Sequence, residues 1–129
     1  MNGKEMKYLV DTNSIIDAQM GRIPEKGLQF LGDVINENFI ISFITYIEVL
    51  GYKDVPQTTQ DFMGLANVIE INKAITDACI ELRKRKKIKL PDAIIAATAL
   101  ANNLTLISRN TKDFEDISGL TCINPYELK

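Results

Sequence analysis

Histidine is absent from all 129 residues. That excludes Ser-His-Asp triads, histidine general bases, His-Glu-x-x-His metal sites and zinc fingers with histidine ligands. Cysteine occurs only at Cys79 and Cys122, too sparsely for a Cys-rich zinc or iron–sulfur site. Any metal must then be held by oxygen, which favours Mg²⁺, Mn²⁺ or Ca²⁺. Long apolar runs are missing too. Residues 39–47 are interrupted by Ser42 and Thr45, and residues 93–101 fall well short of the ~20 that a spanning helix needs. Residues 1–7 are polar, and Tyr8-Leu9-Val10 is too short for a secretory core. A cytoplasmic protein without membrane contact is expected, with reduced cysteines packed among apolar side chains. Repeats, low-complexity tracts and Pro/Gly-rich linkers are lacking as well, so one domain over 1–129 is expected.

What remains is an ordinary globular composition, 46% hydrophobic and 25% charged, which argues against disorder or a coiled-coil rod. Fifteen basic residues against seventeen acidic give a net charge of −2. That balance weighs against a nucleic-acid partner unless the charges are segregated. They are. Arg83, Lys84, Arg85, Lys86, Lys87 and Lys89 hold six of the basic residues, leaving nine basic against seventeen acidic elsewhere, a net of −8.

Hydropathy alternates short strands with helices. Residues 7–10 read as a buried strand, and 11–19 as a helix stopped near Gly21. Leu28, Leu31, Val34 and Ile35 give 25–37 a helical spacing. A strand is expected over 39–41, then a helix capped by Ser42 and stopped by Gly51. Another helix is read over 58–67 and a strand over 68–71. Ala74, Ile75, Ala78, Cys79 and Leu82 make one face of a helix over 73–87, whose basic end suits the helix dipole. Pro91 opens a helix to about 103. Strands follow over 105–108 and 120–123. Strands separated by helices predict an α/β domain, with a mainly parallel central sheet of about five strands flanked by helices. In such sheets ligands bind beyond the carboxyl ends of the strands.

Three acids abut core-forming residues. Asp11 follows Tyr8-Leu9-Val10, Glu48 lies inside Phe43-Ile44-Thr45-Tyr46-Ile47-Glu48-Val49-Leu50, and Asp92 opens Ala93-Ile94-Ile95-Ala96-Ala97. Each has a plain structural explanation: Asp11 as a helix cap, Asp92 as a first-turn acid, Glu48 as a helix former facing water. Together they point to a site, because Asp11 ends a strand where parallel-sheet sites form. Three carboxylates meeting there repel, and a divalent cation relieves the repulsion. Ser108-Arg109-Asn110-Thr111-Lys112-Asp113-Phe114 also follows a strand. It offers further oxygen donors, or it is simply a capped turn.

These pieces resemble a PIN domain, specifically the VapC branch of toxin–antitoxin pairs. The matching segments are Tyr8-Leu9-Val10-Asp11-Thr12-Asn13, Ser42-Phe43-Ile44-Thr45-Tyr46-Ile47-Glu48, Leu90-Pro91-Asp92-Ala93-Ile94-Ile95-Ala96-Ala97 and Leu106-Ile107-Ser108-Arg109-Asn110-Thr111-Lys112-Asp113-Phe114. They stand in family order across nearly the whole chain. The resemblance implies an endoribonuclease that uses Mg²⁺ or Mn²⁺ and leaves 5′-phosphate and 3′-hydroxyl ends. It implies that Asp11 and Asp92 hold metal and that Glu48 completes the site. The fourth acid stands in some members at the place of Asn110 and in others at that of Asp113. Asp113 is taken as that acid, with Asn110 as its outer partner and Thr12, Asn13 and Ser108 in support. The resemblance further implies an RNA substrate, a cognate antitoxin and a homodimer.

The run Arg83–Lys89 is either a solvated helix end or an RNA-phosphate patch. Tyr46 and Tyr52 either stack on bases or pack. A receiver-type domain would carry adjacent acids after the first strand, and a haloacid-dehalogenase-like phosphatase would carry Asp-x-Asp; Thr12 and Asn13 follow Asp11 instead. A PIN-fold binding module without catalysis is the remaining alternative.

Overall fold

Leu9 and Val10 point to opposite sides of one strand, and both are fully buried. A strand buried on both faces is the mark of a parallel sheet covered by helices. The computed structural model describes residues 7–128; most of the expected polar lead-in lies outside them. Strand β1 (Tyr8–Val10) leads into α1 (Thr12–Gln19) and α2 (Glu25–Glu37), then β2 (Ile40–Ser42) and α3 (Phe43–Leu50). Helix α4 (Gln57–Met63), β3 (Asn67–Ile69), α5 (Lys73–Arg85) and α6 (Leu90–Ala101) follow. The chain closes with β4 (Thr105–Ile107), α7 (Thr111–Phe114), β5 (Cys122–Ile123) and a 3₁₀ turn, Pro125–Glu127.

Every ladder is parallel, as expected, but the single sheet of about five strands is corrected. Strands β1, β4 and β5 form one ladder in the order β1-β4-β5, and β2 pairs with β3 in a second. Strands β1 and β2 lie side by side, and side-chain packing closes the seam between the ladders. Strands of two or three residues offer few hydrogen-bonding positions, so the core carries much of the cohesion. Alternation sorts that core into two layers. Leu9, Ile40 and Leu106 face one cluster with Ile75, Cys79 and Leu82 of α5 and the alanines of α6. Val10, Ile41 and Ile107 face the other, with Ile15, Leu31, Val34, Val49 and Met63. Each fully buried aliphatic contributes about 1.5–3 kcal/mol.

Several element ends differ from expectation. Helix α4 stops at Met63, with Gly64 as its cap, because Leu65 and Ala66 turn the chain into β3 instead of continuing the apolar face. Helix α5 ends at Arg85, and Lys86 is already extended (φ −149°, ψ 156°). The 3₁₀ turn carries no periodicity that a sequence reading detects. It packs on α2 so closely that a Cβ at Gly27 would meet the Pro125 carbonyl oxygen at 1.8 Å.

Candidate active site

Parallel pairing of Val10 with Ile107 sets the ends of β1 and β4 side by side. The next residue on each strand is polar and buried: Asp11, 5% exposed, and Ser108, fully enclosed. Asp11 caps α1, its Oδ1 accepting from the Ser14 amide at 2.8 Å. Its own N–H donates to the Ile107 carbonyl at 3.1 Å. The cap expected of Asp11 is therefore present and occupies one carboxylate oxygen, and the acidic charge acting on the group is that of Asp92.

Ser42 caps α3 through the Ile44 amide and so turns β2 directly into the helix that carries Glu48. Helices α1 and α3 pack together. There Thr12 Oγ1 donates to Glu48 Oε1 at 2.7 Å and lies 3.1 Å from the Thr45 hydroxyl. Thr45 is fully buried and escapes the sequence reading. Its place three residues before Glu48, on the same helical face, was the available signal. Helix α6 packs on α3 and brings up Asp92 in its first turn. Helix α7 supplies Asp113, whose carboxylate accepts from the Asn110 amide; Ser108 Oγ accepts from the Asn110 N–H at 3.0 Å.

Electrostatics tie the acids together. Burial raises the pKa of Asp11 above the usual carboxylate range; hydrogen bonds from Ser108 and Ser14 oppose this, and the charge of Asp92 adds to it. Burial also raises Asp92, with Asp113 and then Glu48 adding to the rise and Lys89 opposing it. None of the four acids takes part in an ion pair recorded among the described residues. Behind them the half-buried Cys122 thiol lies 4.0 Å from the Ser108 carbonyl oxygen. Burial, with the charge of Asp11, pushes that thiol up to about 11, so it stays protonated. Both cysteines are free.

The donor set is all oxygen, and its carboxylates repel one another. That chemistry fits a hard divalent cation. Among the described residues no three acids lie close enough to hold one ion jointly. A cation here would take fewer carboxylates directly and keep water, as Mg²⁺ commonly does.

Asn13 is exposed on α1. The basic run divides. Lys84 and Arg85 sit 3.9 and 4.0 Å from Glu81, while Lys86 is drawn to Asp116 at 2.6 Å. Arg83, Lys87 and Lys89 are exposed. Tyr46 and Tyr52 are exposed as well. No helix among the described residues is long and apolar enough to cross a membrane.

A parallel α/β domain with acids gathered beyond its strand ends is an architecture for handling cations and phosphate esters. The PIN domain family profile matches residues 8–120, and the chain belongs to that family. It is 31% identical over 130 residues to Ribonuclease VapC1 of Haemophilus influenzae (strain R2866), covering 89% of this chain and 95% of that protein. A toxin–antitoxin complex from Klebsiella pneumoniae contains a chain of the same fold, with TM-score 0.74, 36% identity, and coverage of 95% of this chain and 100% of that one. VapBC2 from Rickettsia felis, bound to a DNA fragment from its promoter, matches with TM-score 0.76 and 28% identity, over 92% of this chain and 98% of that one.

Proposed function

We propose that this chain is an endoribonuclease dependent on Mg²⁺ or Mn²⁺ and acts as the toxin of a toxin–antitoxin pair. One observation carries the reading. Buried Asp11 lies within electrostatic reach of Asp92, and Asp92 within reach of Asp113 and Glu48, while among the described residues none of the four takes part in an ion pair. A cluster with that energetic cost persists where it has a ligand to hold. The similarity to a protein named a ribonuclease, and to chains from toxin–antitoxin complexes, supplies the reaction class.

The division of labour follows from the contacts. Asp11 is held in one orientation by the Ser14 amide and by Ser108. Thr12 fixes Glu48, and Asn110 fixes Asp113. A bound divalent cation supplies a lowered water pKa and neutralises charge on the phosphoryl group. Hydrolysis adds water to phosphorus and breaks the P–O3′ bond, leaving 5′-phosphate and 3′-hydroxyl ends. Exposed Arg83, Lys84, Arg85, Lys87 and Lys89 supply positive charge for the RNA backbone. The same reading gives the chain a cognate antitoxin, a homodimeric state and a cytoplasmic location.

The test is cleavage of total RNA by the purified protein with Mg²⁺ or Mn²⁺ and with chelator. Cleavage is expected only with the cation, and Asp92→Asn is expected to lose it while the far-UV spectrum is kept. Wild-type cleavage by both Asp11→Asn and Asp92→Asn would overturn the site. A calorimetric titration with Mn²⁺ that gives no binding heat would favour an inert binding module.

A further inference from the structure

The basic run reads as one patch in sequence, but one of its members faces elsewhere. Lys86 stands where α5 has ended, so its side chain leaves the direction of Arg83, Lys84 and Arg85. Its Nζ donates to the Asp113 backbone carbonyl oxygen at 2.6 Å and to Asp116 Oδ1 at 2.6 Å. Its side chain is 20% exposed, against 70% for Lys84 and 76% for Arg85. A phosphate contact needs a free ammonium group, and this one is committed on two sides.

Both acceptors flank the same short element. Helix α7 has four residues and no side-chain cap at its start, and one turn does not hold itself together in water. Phe114, 1% exposed, pins its end in the core, and the Asn110 amide holds the Asp113 carboxylate from within the same loop. Ser108 Oγ ties the start of α7 to the end of β4 through the Asn110 N–H, and Phe114 joins the core cluster that α5 and α6 share. Lys86 adds the one polar link recorded, among the described residues, between the end of α5 and the Asp113 backbone itself. It is joined directly to α5, which packs along α6, and α6 carries Asp92. Asp113 and Asp92 lie within electrostatic reach of each other.

We infer that Lys86 is a positioning residue: from the α5–α6 pair it fixes α7 and so sets where Asp113 stands relative to Asp92. The inference about catalysis rests on the ribonuclease reading; the strut itself does not.

Lys86→Met keeps the aliphatic stem and removes the ammonium group. In the metal-free full chain without RNA, amide hydrogen exchange over residues 111–116 is expected to accelerate. In the cleavage assay kcat is expected to fall roughly tenfold or more, since misplacement of about 1 Å at a reacting group costs up to a hundredfold. KM for RNA and its salt slope should stay at wild-type values. Lys86→Arg should recover most of the rate. Replacing Lys84 and Arg85 by Gln should act the other way, raising KM and flattening the salt dependence. Asp116→Ala removes only the exposed acceptor and should give a smaller effect of the same kind. It carries both measurements if Lys86→Met does not fold. Unchanged exchange over 111–116, or a raised KM with a flattened slope and intact kcat, overturns the proposal. If exchange responds while the wild type cleaves no RNA, the strut stands and the ribonuclease reading falls.

Discussion

Two aspartates lie on or at the cap of one helix and are buried almost equally, Asp11 at 5% exposure and Asp17 at 8%. Their surroundings are opposite. Asp17 is answered on every side. Tyr126 donates its hydroxyl to it, and Arg22 stands 3.6 Å away. Arg109 lies 4.5 Å over the Tyr126 ring, a cation–π contact that ties the loop after β4 to the 3₁₀ turn. Burial and Asp17 together push the Tyr126 hydroxyl up to about 12, so it remains a donor. Asp11 has no cationic partner among the described residues; Ser108 and Ser14 bond it, and the charge of Asp92 opposes its ionisation. Burial alone says little about what an acid does; the charges around it say more.

The largest effect that separates them is on cleavage. Asp11→Asn retains a capping side chain and should therefore fold, yet lose about a thousandfold or more in rate, as loss of several kcal/mol of transition-state stabilisation implies. Asp17→Asn should leave the rate unchanged. Equal losses from both variants would erase the distinction. Next in size is stabilisation by cation. Mn²⁺ at a hundredfold excess over its dissociation constant should stabilise the wild type by about 2.7 kcal/mol, read as a rise in Tm. It should do the same for Asp17→Asn and nothing for Asp11→Asn. Third, Asp17→Ala leaves Tyr126 and Arg22 without their acceptor. It should cost about 1–3 kcal/mol in urea unfolding, with Tyr126→Phe costing less.

The contrast between the two aspartates also marks how far the sequence could be read. Asp11 stood out because it directly follows Tyr8-Leu9-Val10, a local pattern. The helix over 25–37 and the Ser42 cap were equally local, and the structure has both. Asp17 passed unnoticed among polar neighbours because the partner that explains its burial, Tyr126, lies 109 positions away. The split sheet was hidden for a similar reason: whether β1 and β2 exchange hydrogen bonds depends on packing between segments that no short window contains. Lys86 looked like part of a helical patch because a C-cap changes the direction of one side chain without changing composition. Local chemistry was legible; partnership across the fold was not.

The smallest expected effect sharpens the contrast furthermore by its sign. Burial and neighbouring acids raise Asp11 and Asp92 above the ordinary carboxylate range in the folded chain. Below about pH 4, the unfolded carboxylate value, both states carry the proton and the folded state bears no penalty. As pH rises from there through the raised folded values, the unfolded chain releases protons first and the folded state loses stability relative to it. Asparagine does not titrate. In chelator, the Tm of Asp11→Asn should therefore match that of the wild type in acid and exceed it increasingly toward neutral pH, levelling off above the folded pKa of Asp11. Added Mn²⁺ should close the gap by stabilising only the wild type. Asp17→Asn, measured beside it at neutral pH, should lie below the wild type, because there the substitution removes an acceptor that its neighbours need. An Asp11→Asn Tm below that of the wild type at neutral pH, as for Asp17→Asn, would mean that Asp11 is held by its hydrogen bonds to Ser14 and Ser108 rather than strained by burial and the charge of Asp92.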